Sequence, residues 1–225
     1  MDGVLNIDKP PGLSSAALVT NVKRLLPRTL KVGHAGTLDP FATGVLVVLI
    51  GNATRLAERF MSEPKQYITT IKLGATTDTL DPTSHEIVAA AAAPPSSDAV
   101  EQVLRHFVGQ IQQTPPAYSA LKVRGVPAYK LARQGRPPQL QPRTVSVYGI
   151  ELIRYAWPTI DLTIDCGRGT YIRAIARDIG QALGVGAYLL ALRRTRVGPC
   201  LIKDALTLDQ LQQRGVEKCL CIFGR

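Results

Sequence analysis

The stretch Gly33-His34-Ala35-Gly36-Thr37-Leu38-Asp39-Pro40-Phe41-Ala42-Thr43-Gly44 runs straight into the apolar segment Val45-Leu46-Val47-Val48-Leu49-Ile50. Its glycines tolerate positive φ and its proline fixes φ, so the segment reads as a shaped turn. Pro40 biases Asp39 toward an extended backbone, which presents the carboxylate outward. The apolar run behind it has strand length and carries the chain back into a core. A turn with one histidine and one aspartate, anchored by a buried strand, is the feature around which the rest must fold.

At 225 residues, 45 % of them hydrophobic, the chain can bury a large core, and at 20 % charged it lacks the composition of a disordered segment. No apolar stretch approaches the ~20 residues of a membrane helix. Met1-Asp2-Gly3-Val4 lacks the basic-then-apolar pattern of a leader, and the expectation is a cytoplasmic protein. Cys166, Cys200 and the pair Cys219-Leu220-Cys221 do not combine with His34, His85 and His106 into zinc-ligand spacing, so buried reduced thiols are expected. The net charge of +10 points toward a polyanionic partner.

Along the chain, Val4–Ile7 reads as a strand that ends at Lys9-Pro10-Pro11-Gly12. Ser14 or Ser15 can cap a helix with Leu18, Val22 and Leu25 or Leu26 inward, stopped by Pro27. Thr54 can cap a short helix through Leu56, Ala57 and Phe60. Lys65–Leu73 alternates as a strand with Tyr67, Thr69, Ile71 and Leu73 on one face. Ala89–Ala93 with Pro94-Pro95 reads as a connector. Asp98 and Glu101 open a helix with Val100, Val103, Leu104 and Phe107 inward. From Gln110 to Arg143, prolines interleave with tyrosines, lysines and arginines, which predicts a long functional loop. Strands follow at Val145–Ile153 and Ile160–Cys166, then a helix with Ile172, Ile175, Ile179 and Leu183 inward, closed by Gly184. After a basic segment containing Arg193, Arg194 and Arg196, Thr207 can cap a small terminal helix. This order predicts an α+β fold with a mixed, mostly antiparallel sheet flanked by helices.

Several common sites are absent. There is no P-loop and no G-x-S-x-G, and Gly184-Val185-Gly186 reads as a helix C-cap rather than a dinucleotide fingerprint. What remains is a carboxylate in a rigid turn, two basic stretches, and tyrosines among arginines.

The central stretch resembles the active-site motif of the TruB-type tRNA pseudouridine synthases. The resemblance extends through Lys9-Pro10-Pro11-Gly12, Lys65-Gln66-Tyr67 leading to Leu73-Gly74, Thr77-Asp78-Thr79, Pro115-Pro116-Ala117-Tyr118-Ser119-Ala120-Leu121-Lys122, Gly169-Thr170-Tyr171-Ile172-Arg173 and Leu192-Arg193-Arg194-Thr195. These motifs follow the family's order over roughly residues 3–213. It implies the pseudouridine synthase fold over residues 1–205, with an RNA-gripping insertion at about 110–143, and a short helical tail at 206–225. It implies conversion of a tRNA T-loop uridine (position 55) to pseudouridine, with no metal or organic cofactor, by a protein expected to be a monomer.

Residue by residue, the resemblance makes Asp39 the catalytic nucleophile or base and Arg173 its cationic partner. A neighbouring cation favours the ionised carboxylate such chemistry needs. Tyr67 is to stack on the target base and stand ready for proton transfer, and Tyr171 and Leu192 are to line the uracil pocket. His34 is to help extrude the base and fill the space it leaves. Arg55 is to lie near the target nucleotide, and Lys9 and Pro10 are to pack beneath the site. Lys122, Arg124, Arg133 and Arg136 of the insertion are to contact phosphate.

The sequence departs from the family in three places. Ser14-Ser15 replaces Thr-Ser, the segment Asp81–His85 lacks a glycine, and too few residues follow Leu211 for the C-terminal PUA-type domain of many members. The competing readings are a non-catalytic tRNA-binding or folding chaperone on the same scaffold, and a guide-RNA-type pseudouridine synthase. The combination of Asp39, Tyr67 and Arg173 argues against the first, and the 115–143 insertion against the second.

Overall fold

The computed structural model describes residues 1–88 and 93–221. The chain divides into two units, one formed by Met1–Ile68 with Leu192–Arg225 and the other by Thr69–Ala191. In chain order come β1 (Gly3–Lys9), α1 (Ser15–Arg24), β2 (Val32–His34), β3 (Thr43–Ile50), α2 (Ala57–Ser62), β4 (Lys65–Leu73), β5 (Ala75–Thr77) and β6 (Glu86–Val88). They are followed by α3 (Ser97–His106), β7 (Gly109–Gln113), β8 (Lys122–Val123), β9 (Val126–Pro127), α4 (Ala128–Arg133), β10 (Arg143–Ala156) and β11 (Thr159–Cys166). The last elements are α5 (Ile172–Ala182), β12 (Ala187–Val197), β13 (Cys200–Leu201) and α6 (Leu208–Arg214).

In the first unit β3 is the central strand. β1 lies antiparallel beside it from Gly3↔Ile50 to Lys9↔Gly44. β2 pairs antiparallel with its far end, His34 opposite Val48. Arg193 and Arg194 of β12 run parallel to Thr43 and Gly44. The unbroken apolar sequence of β3 follows from cover on both faces. Leu46, Val48 and Ile50 share a cluster with Leu18, Val22 and Leu26 after Ser14 caps α1, and with Leu211 of α6. Val45, Val47 and Leu49 pack with Phe60, Val197 and Cys200.

In the second unit the strand order is β4-β11-β10-β7, and β10 is antiparallel to both β11 and β7. Ile160, Leu162 and Ile164 are fully buried on β11 while the intervening residues are not, the period-2 signature read from the sequence. α5 buries Ile172, Ile175 and Ile179 and ends where the amides of Val185 and Gly186 both donate to the Gly180 carbonyl. Gly180 admits no side chain, because a Cβ there lies 2.3 Å from the Ala187 nitrogen.

Each unit thus carries strands with helices against them, mixed and mostly antiparallel, as predicted. Five local readings are corrected. Residues 32–34 form a strand, so His34 ends β2 rather than sitting in a bend. Thr54 does not cap a helix: residues Gly51–Leu56 form a 3₁₀ turn in which its hydroxyl donates to the Gly51 carbonyl. Ser96, not Asp98, caps α3. The expected loop from Gln110 to Arg143 contains β7, the β8–β9 hairpin and α4. Cys166 and Cys200 are buried as expected, but Cys219 is half-buried and Cys221 exposed. Of the expected connector Ala89–Ala93, residues 89–92 lie outside the described residues. Among the described residues no helix is long and apolar enough to cross a membrane.

Candidate functional site

The first unit fixes the backbone on both sides of Asp39. The fully buried Arg194 reaches in from β12, donating through Nε to the Val45 carbonyl (2.7 Å) and through its terminal nitrogens to Thr37 (3.3 Å) and Gly36 (3.2 Å). Ser15, the first residue of α1, accepts from the Leu38 amide at 2.8 Å and donates to the Leu38 carbonyl at 3.0 Å. The Asp39 carbonyl accepts from the Ala42 amide at 3.1 Å. The Pro40 carbonyl accepts from the Gly12 amide at 2.8 Å and from the Lys9 ammonium at 3.1 Å. Lys9 spends its other donors on Pro10 and Leu13, both at 2.8 Å, so all three N–H groups of a fully buried ammonium are satisfied.

Gly44 makes this clamp sterically possible. Its φ is +104°, and a Cβ there lies 2.2 Å from the Arg194 backbone oxygen. The parallel pairing that delivers the Arg194 side chain therefore requires glycine.

The electrostatics follow from the same packing. Burial pushes the Lys9 ammonium down to about 8; the Asp39 carboxylate opposes that fall and the Arg194 charge adds to it. Burial, then the Arg194 charge, lowers the His34 pKa from its usual value and keeps the ring neutral at neutral pH. His34 Nδ1 is buried without a hydrogen-bond partner among the described residues.

Of the other expected residues in this unit, Tyr67 lies buried on β4 among the inward positions Lys65, Thr69 and Ile71. Leu192 is buried on β12, and Arg55 is exposed in the 3₁₀ turn. The structure thus gathers Lys9, His34 and Asp39 around Arg194.

The second unit holds Tyr171 and Arg173 at the start of α5. The buried Gln113 side chain accepts from the Tyr171 amide (2.8 Å) and donates to its carbonyl (3.2 Å), while the Arg143 guanidinium lies 5.6 Å from the Tyr171 ring centroid. Arg173 is 4 % exposed. It donates to the carbonyls of Thr79 (2.8 Å) and Tyr118 (2.9 Å) and pairs with Asp81 at 3.4 Å. Asp81 is itself held by Thr79 and Thr83 in a turn where Leu80 takes a φ of +60°. That is how the segment is shaped without the glycine that the family pattern led us to expect. Lys122, Arg124, Arg133 and Arg136 are exposed, with Arg133 lying 5.6 Å over the Tyr129 ring.

Arg194, Ser15 and Gln113 were not among the expected site residues. In the sequence Arg194 stands in a basic run and in the motif Leu192-Arg193-Arg194-Thr195 with no role of its own, and its burial depends on carbonyls about 150 positions away in the chain. Among the described residues no group of His, Cys, Asp and Glu is placed to hold a metal ion.

Comparison with known proteins gives the family. The N-terminal domain of TruB family pseudouridylate synthases matches residues 23–172, and the C-terminal domain of tRNA pseudouridylate synthase B matches residues 173–218. The chain belongs to the TruB family of pseudouridylate synthases. It is 47 % identical over 214 residues to the tRNA pseudouridine synthase B of Syntrophotalea carbinolica, covering 94 % of this chain and 69 % of that one. It is 45 % identical over 213 residues to that of Opitutus terrae, covering 94 % and 88 %. Among solved structures it resembles a chain of an H/ACA ribonucleoprotein bound to a substrate RNA containing 2'-deoxyuridine, with a TM-score of 0.70 and 31 % identity. That match covers 94 % of this chain and about half, 52 %, of the other.

Proposed function

We infer that the protein converts a uridine of tRNA to pseudouridine, at position 55 of the T loop, with Asp39 as the catalytic group. The reaction breaks the bond from ribose C1' to uracil N1 and forms one from C1' to C5; the C5 proton leaves and N1 gains one. One observation carries the reading: the backbone on both sides of Asp39 is clamped by Arg194, Ser15 and Lys9, so the turn that carries the carboxylate is fixed before substrate arrives. A group fixed in advance does not lose its freedom during the reaction.

The other residues take roles that suit their settings. Tyr67 supplies the stacking surface and a hydroxyl for proton transfer, and stacking of about 1–3 kcal/mol offsets part of the cost of extruding the base. His34, neutral at neutral pH, fills the vacated space without placing a charge among stacked bases. Tyr171 and Leu192 line the uracil pocket. Arg173 is the cationic partner of the chemistry, oriented by Asp81 and two carbonyls. Arg55 approaches the target nucleotide, and Lys122, Arg124, Arg133 and Arg136 grip phosphates. The higher identity to tRNA pseudouridine synthase B than to the H/ACA ribonucleoprotein chain favours the stand-alone tRNA enzyme.

The test is to incubate the purified protein with an unmodified T-arm hairpin and locate pseudouridine by chemical mapping. Modification at the T-loop uridine is expected. Tight binding without modification would favour a chaperone on this scaffold.

A further inference from the structure

From Pro10 to Leu38 the sequence contains no aspartate or glutamate, yet it carries Lys23, Arg24, Arg28 and Lys31. All four side chains are exposed. Lys23 and Arg24 occupy the last turn of α1, where they complement the helix dipole. That explanation stops there, because the dipole's effect falls off within the terminal turn and Arg28 and Lys31 lie beyond it. Among the described residues none of the four is in an ion pair; Arg24 has only a 3.4 Å contact with Asn21. The acids on the elements that share α1's apolar cluster, Asp8 of β1, Asp209 of α6 and Glu217, form no ion pair with them, and Asp8 is paired with Arg193 instead. Four like charges within nine consecutive residues and without counter-charges repel one another, and a polyanion relieves that cost.

The placement of the patch identifies the polyanion. α1 begins at Ser15, which holds Leu38 beside Asp39. Its first eight residues carry the chain ~12 Å away before Lys23 and Arg24 appear. The chain then returns through Lys31, which directly precedes β2 and its terminal His34. A nucleic acid whose base reaches Asp39 therefore has backbone within range of the patch.

We propose that Lys23, Arg24, Arg28 and Lys31 form a second phosphate-binding surface for the RNA substrate, separate from the basic residues of 122–136. It rests on the reading of the protein as a tRNA-modifying enzyme. The surface contributes affinity and salt dependence but does not read bases.

The test compares the wild type with a variant carrying Lys23→Gln, Arg24→Gln, Arg28→Gln and Lys31→Gln, using full-length unmodified tRNA and the T-arm hairpin at several salt concentrations. The expected result is a loss of affinity of about tenfold or more for full-length tRNA, with the slope of log K against log salt reduced by about 2–3. Loss on both RNAs places the contact on the hairpin; loss on tRNA alone places it elsewhere on the tRNA; either supports the surface. An unchanged slope on both RNAs overturns it. The two half-variants, Lys23→Gln with Arg24→Gln and Arg28→Gln with Lys31→Gln, cover the case in which the quadruple variant folds poorly. Exchange of Lys for Arg and Arg for Lys at the same positions should restore binding. Because binding is the readout, failure of this surface is distinguishable from absence of pseudouridine formation, which bears on the function itself.

Discussion

One hydroxyl joins Ser15 to Leu38 twice, accepting from the Leu38 amide at 2.8 Å and donating to its carbonyl at 3.0 Å. Both groups are buried, and the residue they fix is the immediate neighbour of Asp39. Helix α1 thereby starts on the turn that carries Asp39. Ser15→Ala leaves a buried amide and carbonyl unpaired, which costs about 1–3 kcal/mol. Urea unfolding should show that loss, and single-turnover pseudouridine formation should slow while tRNA affinity holds. Ser15→Thr, which keeps the hydroxyl, should recover most of both.

Arg194 ties Gly36, Thr37 and Val45 with one guanidinium. A lysine has the charge but not the planar fork, so Arg194→Lys should behave more like Arg194→Gln than like wild type. Both should lose about 2–4 kcal/mol of stability, since several buried acceptors lose their donors. With stability controlled by temperature, kcat should fall more than KM rises, because the clamp acts on the geometry of Asp39 and not on the grip on RNA.

The alkaline limb of activity should report Lys9. Its folded pKa of about 8 lies below the ordinary 10.5, so between those values the unfolded chain binds the proton more strongly. The sign follows: this group's contribution to folding stability rises with pH across that window. Activity moves the other way, because the neutral amine has two N–H groups for three carbonyls and the turn at Pro40 loosens. A pH–rate profile should decline above about pH 8, and Lys9→Arg, where it folds, should shift that limb upward.

His34 should govern the acid side. Its folded pKa is lowered, so as pH falls below 6.5 the unfolded chain takes up the proton first and stability drops. Urea titrations of wild type and His34→Gln between pH 7 and pH 5 should diverge, the wild type losing stability that the variant keeps. Parallel curves would count against a buried neutral ring.

Much of this site was legible from local chemistry. The glycines and Pro40 mark the turn, the alternation through Lys65–Leu73 puts Tyr67 inward, and Ser14 and Thr207 cap the helices they precede. What escaped the sequence depends on partners far away in the chain. β7 is glutamine-rich and shows no alternation; it is a strand because β10, some thirty residues on, supplies its ladder. Arg194 looks like its half-buried neighbours Arg193 and Arg196 in a basic run until the parallel contact of β12 with Gly44 turns it inward. Ser96 outcompetes Asp98 for the α3 cap because its hydroxyl accepts from the Ala99 amide. Local pattern reads the elements, and the tertiary contacts decide which cations are buried.

Asp39, on its clamped turn, is the residue proposed to perform the chemistry. Asp39→Asn keeps the size and the backbone hydrogen bonds of the turn while removing the charge. Pseudouridine formation on an unmodified tRNA transcript, measured under single-turnover conditions alongside tRNA affinity, tests it most directly. The expected result is no detectable pseudouridine with affinity within about threefold of wild type, a difference of well under 1.4 kcal/mol in binding. Pseudouridine formed by the variant at the wild-type rate would contradict the assignment.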